Sequence, residues 1–540
     1  MSRPSNILLA FALVAAGPAI LGAQHDHAGG GSTGDDPPQL LDNLGTLAYP
    51  VTTTSMAQLW FNQGLRFYWA FNHEEAIRSF REAERLDPNC AMCAFGQALS
   101  LGPNINAPME DAAAKQAWEI VQRAERLPGK NGRESGMIAA LRQRYDPSLS
   151  RAAADSAWAT AIGKMAAAHP GDLELKSLAA EAIMDLSPWN YWSNGEPRPQ
   201  TADLLAMIDA VIAVNPNHPG ACHLLIHAVE AVDPERALGC AERLASLMPG
   251  AGHLVHMPAH IYIRLGRYDD AIKLNEHAVH ADQHLFEGPG KANGFYGLSY
   301  YPHNWHFMSF AAAMDNNRGV ALKAARETAR SITPTVARAV PAVEPVGAIT
   351  WYTMVTFGEW AAILAEPMPP ADLRFTSGMA YYARGMALSA GRRWPEARAA
   401  LDSVQRIAKA YPEGEPQVAL QIAALALEGE MQLRSGNPKQ SVVSFTKATA
   451  LEDGLNYTEP PTWYYPIRQS LGKAQLAAGD AAGAEATYRH DLKQFPGNGW
   501  SLIGLHQSLV KQGRMEEAAT LWPEVETTWK GQVRPGASRF

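Results

Sequence analysis

Histidine is concentrated in one part of this chain, at spacings that suit metal binding. Eleven of the seventeen histidines fall between residues 218 and 306. His223 and His227 recur thirty-three residues later as His256 and His260. The spacing of His253 and His256 recurs fifty residues later as His303 and His306. A repeat that returns histidine at matching positions predicts a shared site, because chance scatter would not keep the phase.

Seven of these histidines are the candidate metal ligands. Residues at i, i+3 and i+7 lie on one face of a helix, and two histidines four residues apart on one helix give two nitrogens to one ion. Neutral imidazoles buried together each need a hydrogen-bond partner and protonated ones repel, so an unliganded cluster is costly. A divalent metal ion removes both problems, with zinc or copper as the expected ion. The candidates are His223, His227, His253, His256, His260, His303 and His306.

Three carboxylates are the candidate acid–base groups. Glu230 follows His227 by three residues and extends the same helix face. Glu181 and Asp185 are four residues apart on an earlier helical segment, where they either reach the same site or are ordinary solvated charges. The sequence contains no nucleophile elbow, P-loop, dinucleotide fingerprint or HExxH motif. Any catalysis would therefore use the metal and these neighbours.

Composition argues against two classes of partner. The chain has 540 residues and a formal net charge of −8, so it lacks the basic excess that a sequence-independent nucleic-acid binder needs. Beyond the N-terminal region we find no run of eighteen apolar residues, so no membrane span is expected in the mature protein.

The N-terminus is typical of a secretory signal peptide. Arg3 supplies a short basic region, residues 7–16 an apolar region, and a Leu-Gly-Ala sequence ends the predicted peptide, residues 1–23. Residues 24–56 are rich in Gly, Asp, Ser and Pro and are predicted to be a disordered lead-in, and residues 534–540 a tail. The mature protein is therefore expected to be periplasmic or secreted.

The four cysteines leave one question open. Cys90 and Cys93 are separated by two residues and have no following histidine, which excludes c-type haem attachment. In an exported protein they form either a disulfide or two small buried side chains.

Beyond residue 56 the chain repeats one helical pattern of a small residue, Gly before a turn, an aromatic, Ala, a bulky apolar residue, Ala and Pro. The first copy has Gly64, Phe67, Ala76, Phe80 and Pro88. The pattern is clear in residues 57–90, 252–283, 378–411, 465–498 and 499–532. It resembles the tetratricopeptide repeat, a helix–turn–helix unit of about 34 residues.

The resemblance implies an all-α fold. The expected architecture is a right-handed α-solenoid of about ten to twelve units, formed as one domain by residues 57–533 with a histidine-rich centre at 218–310. In this family the first helix of each unit lines a concave groove. Aligned on Ala271, the motif places three of the histidines at groove-facing positions. Three neighbouring units would then direct the seven histidines and Glu230 into one concavity.

Two functions fit this arrangement. The first is an exported binding protein whose groove holds a protein, a peptide or a small molecule with the help of the metal. The alternative is a metalloenzyme, a hydrolase or an oxygenase, with Glu230, Glu181 or Asp185 moving protons. Segments 187–199 and 283–300, rich in Gly and aromatic residues, are expected to be long ordered loops that cover the site. A closed cavity would favour the enzyme and an open groove the binding protein.

Overall fold

The computed structural model describes residues 38–193, 195–288 and 294–529. Over these residues the protein is all-α, which confirms the expected fold class. The strands in the described part are two residues long: Trp192–Ser193 pairs antiparallel with Glu196–Pro197. The predicted signal peptide, residues 1–23, and the tail, residues 534–540, lie outside the described residues.

The chain divides into two compact units. The first consists of the residues up to Ile261 together with Leu274–Asn304, and the second of Tyr262–Lys273 together with the residues from Trp305 onward. The expectation of one continuous domain stays a prediction.

The first unit contains eleven helices in the part of the chain that is described, with a 3₁₀ turn at Pro234–Ala237. They are α1 (Ser55–Trp69), α2 (His73–Leu86), α3 (Ala91–Ser100), α4 (Asp111–Arg126), α5 (Gly132–Arg144), α6 (Arg151–Ala168), α7 (Leu173–Met184), α8 (Pro199–Val214), α9 (Pro219–Val229), α10 (Leu238–Leu247) and α11 (Gly252–His256). Three helices contribute residues to both units: α12 (Pro258–Arg264), α13 (Tyr268–Glu287) and α14 (Phe295–Met314).

The second unit continues the helical series, with a 3₁₀ turn at Pro341–Val343. Its helices are α15 (Arg318–Ser331), α16 (Pro334–Ala339), α17 (Glu344–Gly347), α18 (Ile349–Thr356), α19 (Trp360–Ala365), α20 (Arg374–Ala390), α21 (Trp394–Ala410), α22 (Glu415–Arg434), α23 (Pro438–Glu452), α24 (Ile467–Ala477), α25 (Ala481–Gln494), α26 (Gly499–Lys511), α27 (Met515–Thr520) and α28 (Trp522–Thr528).

Small residues let consecutive helices approach closely around one aromatic ring. Phe80 of α2 is buried between Gly64 of α1 and Gly96 of α3. A Cβ atom at these glycines would lie 2.7 and 2.6 Å from the phenyl ring, closer than any real contact. Tyr488 of α25 lies in the same way between glycines of α24 and α26. The glycine and aromatic positions of the repeated pattern thus set the helix spacing.

Two expectations about irregular segments change. Within the predicted lead-in, residues 38–54 form no helix but are packed: Leu44 and Tyr49 are buried, and the Tyr49 hydroxyl donates to Asp172 at 2.8 Å. Within 283–300, α13 continues to Glu287 and α14 begins at Phe295, so most of the expected loop is helical. Burial of its aromatic side chains outweighs the turn preference of its glycines.

The four cysteines form two disulfides: Cys90–Cys93, which answers the question that the sequence left open, and Cys222–Cys240, which the sequence interpretation did not address. Among the helices in the described residues, none combines the length and apolar character needed to cross a bilayer.

Candidate metal centre

Helix α9 carries the first pair of histidines and is buried along its whole length. It begins at Pro219, whose fixed φ suits the first helical position. His218 caps the helix, because its Nδ1 accepts from the Ala221 backbone N–H at 3.0 Å. The His218 Nε2 lies 2.9 Å from a carboxylate oxygen of Glu174, so both ring nitrogens are engaged. His218 therefore positions the helix and does not belong to the ligand set.

His223, His227 and His253 form a compact group, called here the first triad. Their ring centroids are 4.9 Å apart for His223–His227 and His223–His253, and 6.2 Å apart for His227–His253. One ring nitrogen of each lies within 4.8 Å of the others. All three side chains are buried, with at most 4% of their surface exposed. The triad can therefore offer three nitrogens to one ion.

In His223 and His227 the ring nitrogen Nδ1, called here the outer nitrogen, has a polar partner, whereas Nε2, the inner nitrogen, has none within the described residues. His223 Nδ1 is 2.7 Å from the Trp69 carbonyl, and His227 Nδ1 is 3.4 Å from Glu230 Oε1. Within the described residues the Nε2 atoms of His223 and His227, and both nitrogens of His253, have no hydrogen-bond partner. Metal-binding histidines usually hold Nδ1–H on a carbonyl or carboxylate and present Nε2 to the ion.

His256, His260 and His303 form the second triad, in which one nitrogen of each also lies within 4.8 Å of the others. The ring centroids are 4.8 Å apart for His256–His260 and His256–His303. His256 Nδ1 is 2.7 Å from Asn275 Oδ1, and His256 Nε2 is 2.9 Å from His260 Nε2. Two imidazole nitrogens this close have either a hydrogen bond or a cation between them.

Glu230 contacts one histidine of each triad. Its Oε2 lies 2.6 Å from His260 Nδ1, and its Oε1 lies 3.4 Å from His227 Nδ1. Burial alone would raise the pKa of Glu230, but the interactions with His260 and His227 outweigh it and lower the pKa to about 2. The carboxylate is therefore ionised and fixes two rings at once.

The electrostatics keep several of these imidazoles neutral. Burial, and next the neighbouring imidazoles, lower the pKa of His223, His253 and His256 well below the usual value. Burial also lowers the pKa of His227, although Glu230 opposes it. A neutral imidazole has a lone pair, which is the form that binds a metal ion.

Aromatic side chains enclose the first triad. The Phe71 ring centroid is 4.3 Å from that of His223 and 5.6 Å from that of His253, and its plane is within 22° of the latter. Trp189 meets His227 edge-on at 5.1 Å, and Tyr300 lies 4.4 Å from His253. These rings keep water away from the donor nitrogens. The predicted covering segments 187–199 and 283–300 supply Trp189 and Tyr300.

Glu181 and Asp185 belong to a different buried network. Asp185 accepts from Arg144 Nη2 at 2.6 Å, and Glu181 accepts from the Tyr68 hydroxyl in a short hydrogen bond. Neither carboxylate is a member of either triad. Burial, and next the charge of Asp185, raises the pKa of Glu181 to about 8. The expectation that the two reach the histidine site stays a prediction.

Of the seven candidate histidines, six lie in the first unit and form the two triads. His306 lies in the second unit and is not a member of either triad. Burial lowers the pKa of His306 to about 4, so this imidazole is neutral. The sequence interpretation did not single out Phe71, Asn275 or the Trp69 carbonyl. Only Phe71 had a visible signal, since it is an aromatic residue at a turn where other copies have a glycine or a polar residue, as at Gly266 and Arg392.

Comparison with known proteins gives no family assignment. No family model matches the chain, and the search of curated proteins found no match. Among solved structures, human IFIT1 as a dimer with m7Gppp-AAAA is 14% identical, covering 88% of this chain and 91% of its own, with a TM-score of 0.32. The APC/C hetero-tetramer Cut9–Hcn1 is 13% identical, covering 88% of this chain and 74% of its own, with a TM-score of 0.29. Likenesses this distant carry no argument about the ligand.

Proposed function

We propose that this protein binds first-row transition-metal ions at its buried histidines and uses them to hold a small ligand. The first triad carries the proposal. His223, His227 and His253 are buried, and one nitrogen of each lies within 4.8 Å of the others. The Nε2 atoms of all three rings have no hydrogen-bond partner within the described residues. Zinc and copper are the ions that three imidazoles suit best.

A purely structural role explains these nitrogens less well. An unsatisfied buried polar atom costs about 1–3 kcal/mol, and His253 alone has two such nitrogens. Since burial also keeps the rings neutral, the cost cannot be relieved by protonation. A metal ion satisfies several nitrogens at once, and the outer hydrogen bonds of His223 and His227 already hold their rings in the orientation that it needs.

The burial of the site favours a small ligand over a peptide. The six triad histidines are at most 7% exposed, and Phe71, Trp189 and Tyr300 lie directly on the first triad. A peptide needs an open groove with exposed main-chain contacts. The two disulfides support the proposed export of the protein, because such bonds persist in oxidising compartments.

A metalloenzyme is the second candidate, and the geometry favours an oxygenase over a hydrolase. Three imidazoles leave an open coordination position, as catalytic zinc and copper sites do. A hydrolase also needs a general base with a free lone pair near the metal. Both oxygens of Glu230 are directed at histidine rings, and its pKa of about 2 makes it a weak base. Glu230 therefore orients ligands and does not move protons.

Elemental analysis tests the metal proposal. The full chain, exported by its own N-terminus into the periplasm of a bacterial host, should purify with a first-row transition metal in whole-number stoichiometry. Replacing both His223 and His227 by Ala should remove at least half of that metal while circular dichroism still reports a helical protein.

The matched control replaces His277 and His280, two exposed histidines of α13 that are also close in sequence. This double alanine variant should keep the full metal content. Metal content at background in the natural chain, or equal losses in both double variants, would refute the proposed function.

A further inference from the structure

The histidine site contains two complete ligand sets, and no histidine belongs to both. The first triad uses His223 and His227 of α9 with His253 of α11, and the second uses His256 of α11, His260 of α12 and His303 of α14. Six histidines this close together could instead have served a single ion, with the surplus contacting a ligand. The separation into two groups of three argues against that arrangement.

The two sets are close enough for their ions to share a ligand. The ring centroids of His227 and His260, one from each triad, are 5.5 Å apart, and those of His253 and His256 are 5.9 Å apart. Both spacings lie within the range of 4.8 to 6.2 Å that separates ring centroids inside the triads. Glu230 also spans the boundary, with one oxygen on each side. Two-metal sites work at separations of about 3.5–4 Å because one small bridging group can then touch both ions.

The second triad indicates which ion fits. The Nε2 atoms of His256 and His260 are 2.9 Å apart. With metal–nitrogen distances of about 2.0–2.1 Å, this separation subtends about 90° at the metal, whereas a tetrahedral shell would separate the nitrogens by about 3.3 Å. Right-angle ligation by nitrogen is typical of tetragonal copper(II) and nickel(II), and copper(II) binds the more tightly of the two.

Charge then indicates what joins the ions. A histidine that binds a metal ion does so as a neutral imidazole, through its lone pair, so three such rings add no charge to offset that of the ion, and Glu230 is a carboxylate that contacts both triads. Two divalent ions repel about four times as strongly as two monovalent ions at the same distance. Two copper(I) ions can therefore occupy the two triads without an added anion, while two copper(II) ions need an anion between them to reduce their repulsion. The aromatic enclosure by Phe71, Trp189 and Tyr300 admits only a small one.

We infer that the two triads form a dinuclear copper centre, with one ion in each triad, whose oxidised form takes a small bridging anion. This inference rests on the proposed function and adds the nuclearity, the metal and the ligand class. Hydroxide and azide are anions of the appropriate size and charge.

Copper stoichiometry tests the inference on the full chain. Metal-free protein titrated with copper(II) should bind two ions per chain. The variants His223→Gln and His303→Gln, which each break one triad, should each bind one, while His277→Gln should bind two. One ion in the natural chain, lost in both triad variants, would overturn the dinuclear inference but leave the proposed function standing. Binding of no copper, zinc, iron or nickel would overturn both.

Electron paramagnetic resonance and azide binding test the bridge without relying on variants. The two-copper protein should show less than a tenth of the signal expected for two isolated copper(II) ions, because bridged ions couple their spins. Azide should give a new charge-transfer absorption with one azide per two coppers, and His223→Gln should abolish that stoichiometry. A full two-copper signal together with two azides per chain would overturn the bridged arrangement.

Discussion

Replacing Glu230 by glutamine should weaken the two triads unequally. The carboxylate offers one oxygen to His260 at 2.6 Å and the other to His227 at 3.4 Å. Glutamine keeps the shape but has one acceptor oxygen and one donor amide. The amide oxygen should keep the shorter contact, which leaves the N–H₂ group facing His227 Nδ1. The His227 ring must then place its proton on Nε2, the nitrogen that the metal needs.

The expected decrease in metal affinity is large enough to measure. Losing the outer partner of a metal-binding histidine costs about 10–100-fold in affinity, which corresponds to roughly 1.4–2.8 kcal/mol. Metal affinity at the first triad should fall within that range in Glu230→Gln, and affinity at the second triad by less than tenfold. Glu230→Ala removes both acceptors and should weaken both triads.

Competition with a chromophoric chelator measures each triad separately. Glu230→Gln is combined with His303→Ala to leave only the first triad, and with His223→Ala to leave only the second. Glu276→Gln, an exposed carboxylate of α13, is the matched control and should change neither affinity. If Glu230→Gln leaves the metal affinity of the first triad unchanged, or lowers that of the second triad more than that of the first, the assigned role of Glu230 is refuted.

Three further predictions concern the enclosure, a buried proton and a disulfide. Phe71→Gly should speed metal release to a chelator at least tenfold, whereas Arg392→Gly, at another turn with a positive φ of 57°, should leave release unchanged. Glu181 has a pKa near 8 in the folded state and a lower one in the unfolded state. The folded state therefore binds a proton that the unfolded state releases, and the stability of the natural chain falls as pH rises from about 5 to 8. Glu181→Gln should thus gain stability over the natural chain by roughly 1 kcal/mol per pH unit across that window, measured by thermal melts, and a pH-independent difference would contradict this. Cys222 and Cys240 are 18 residues apart, and replacing both by Ala should lower the free energy of unfolding, measured with denaturant, by about 3 kcal/mol. A decrease below roughly 1 kcal/mol would show that the disulfide is dispensable for stability.

The all-α fold was predictable because helix spacing is encoded locally. Gly64 and Phe80 already showed in the sequence which small and aromatic residues meet, and the structure places them in contact. The start of α14 at Phe295 was not predictable, since the glycines nearby favour turns and the burial of Tyr296 and Tyr300 in that helix outweighs this preference. Local propensity is a weak prior wherever tertiary packing competes with it.

The grouping of the site was less predictable than its members. Equal spacing along the chain made the seven histidines look equivalent, yet the division of the chain places His306 in a different unit from the other six. The contacts of Glu230 were not predictable either, because the sequence shows a carboxylate without its partners, whereas in the structure one oxygen lies near His227 and the other near His260. Contacts such as Asn275 with His256 join separate helices and leave no periodic signal.

The clearest sequence signal of the site is a departure from the repeat. Some of the other turns between paired helices use glycine at positive φ, as at Gly266 and Gly479 with φ of 74° and 86°, while Asn316 and Arg392 are polar residues at the same position. Phe71 adopts the same region with φ of 54°, where a bulky residue costs about 1–3 kcal/mol. The surroundings must hold it there, and its ring lies on His223 and His253. A costly aromatic at a glycine position is explained by the site that it encloses, so such exceptions are where function should be sought first.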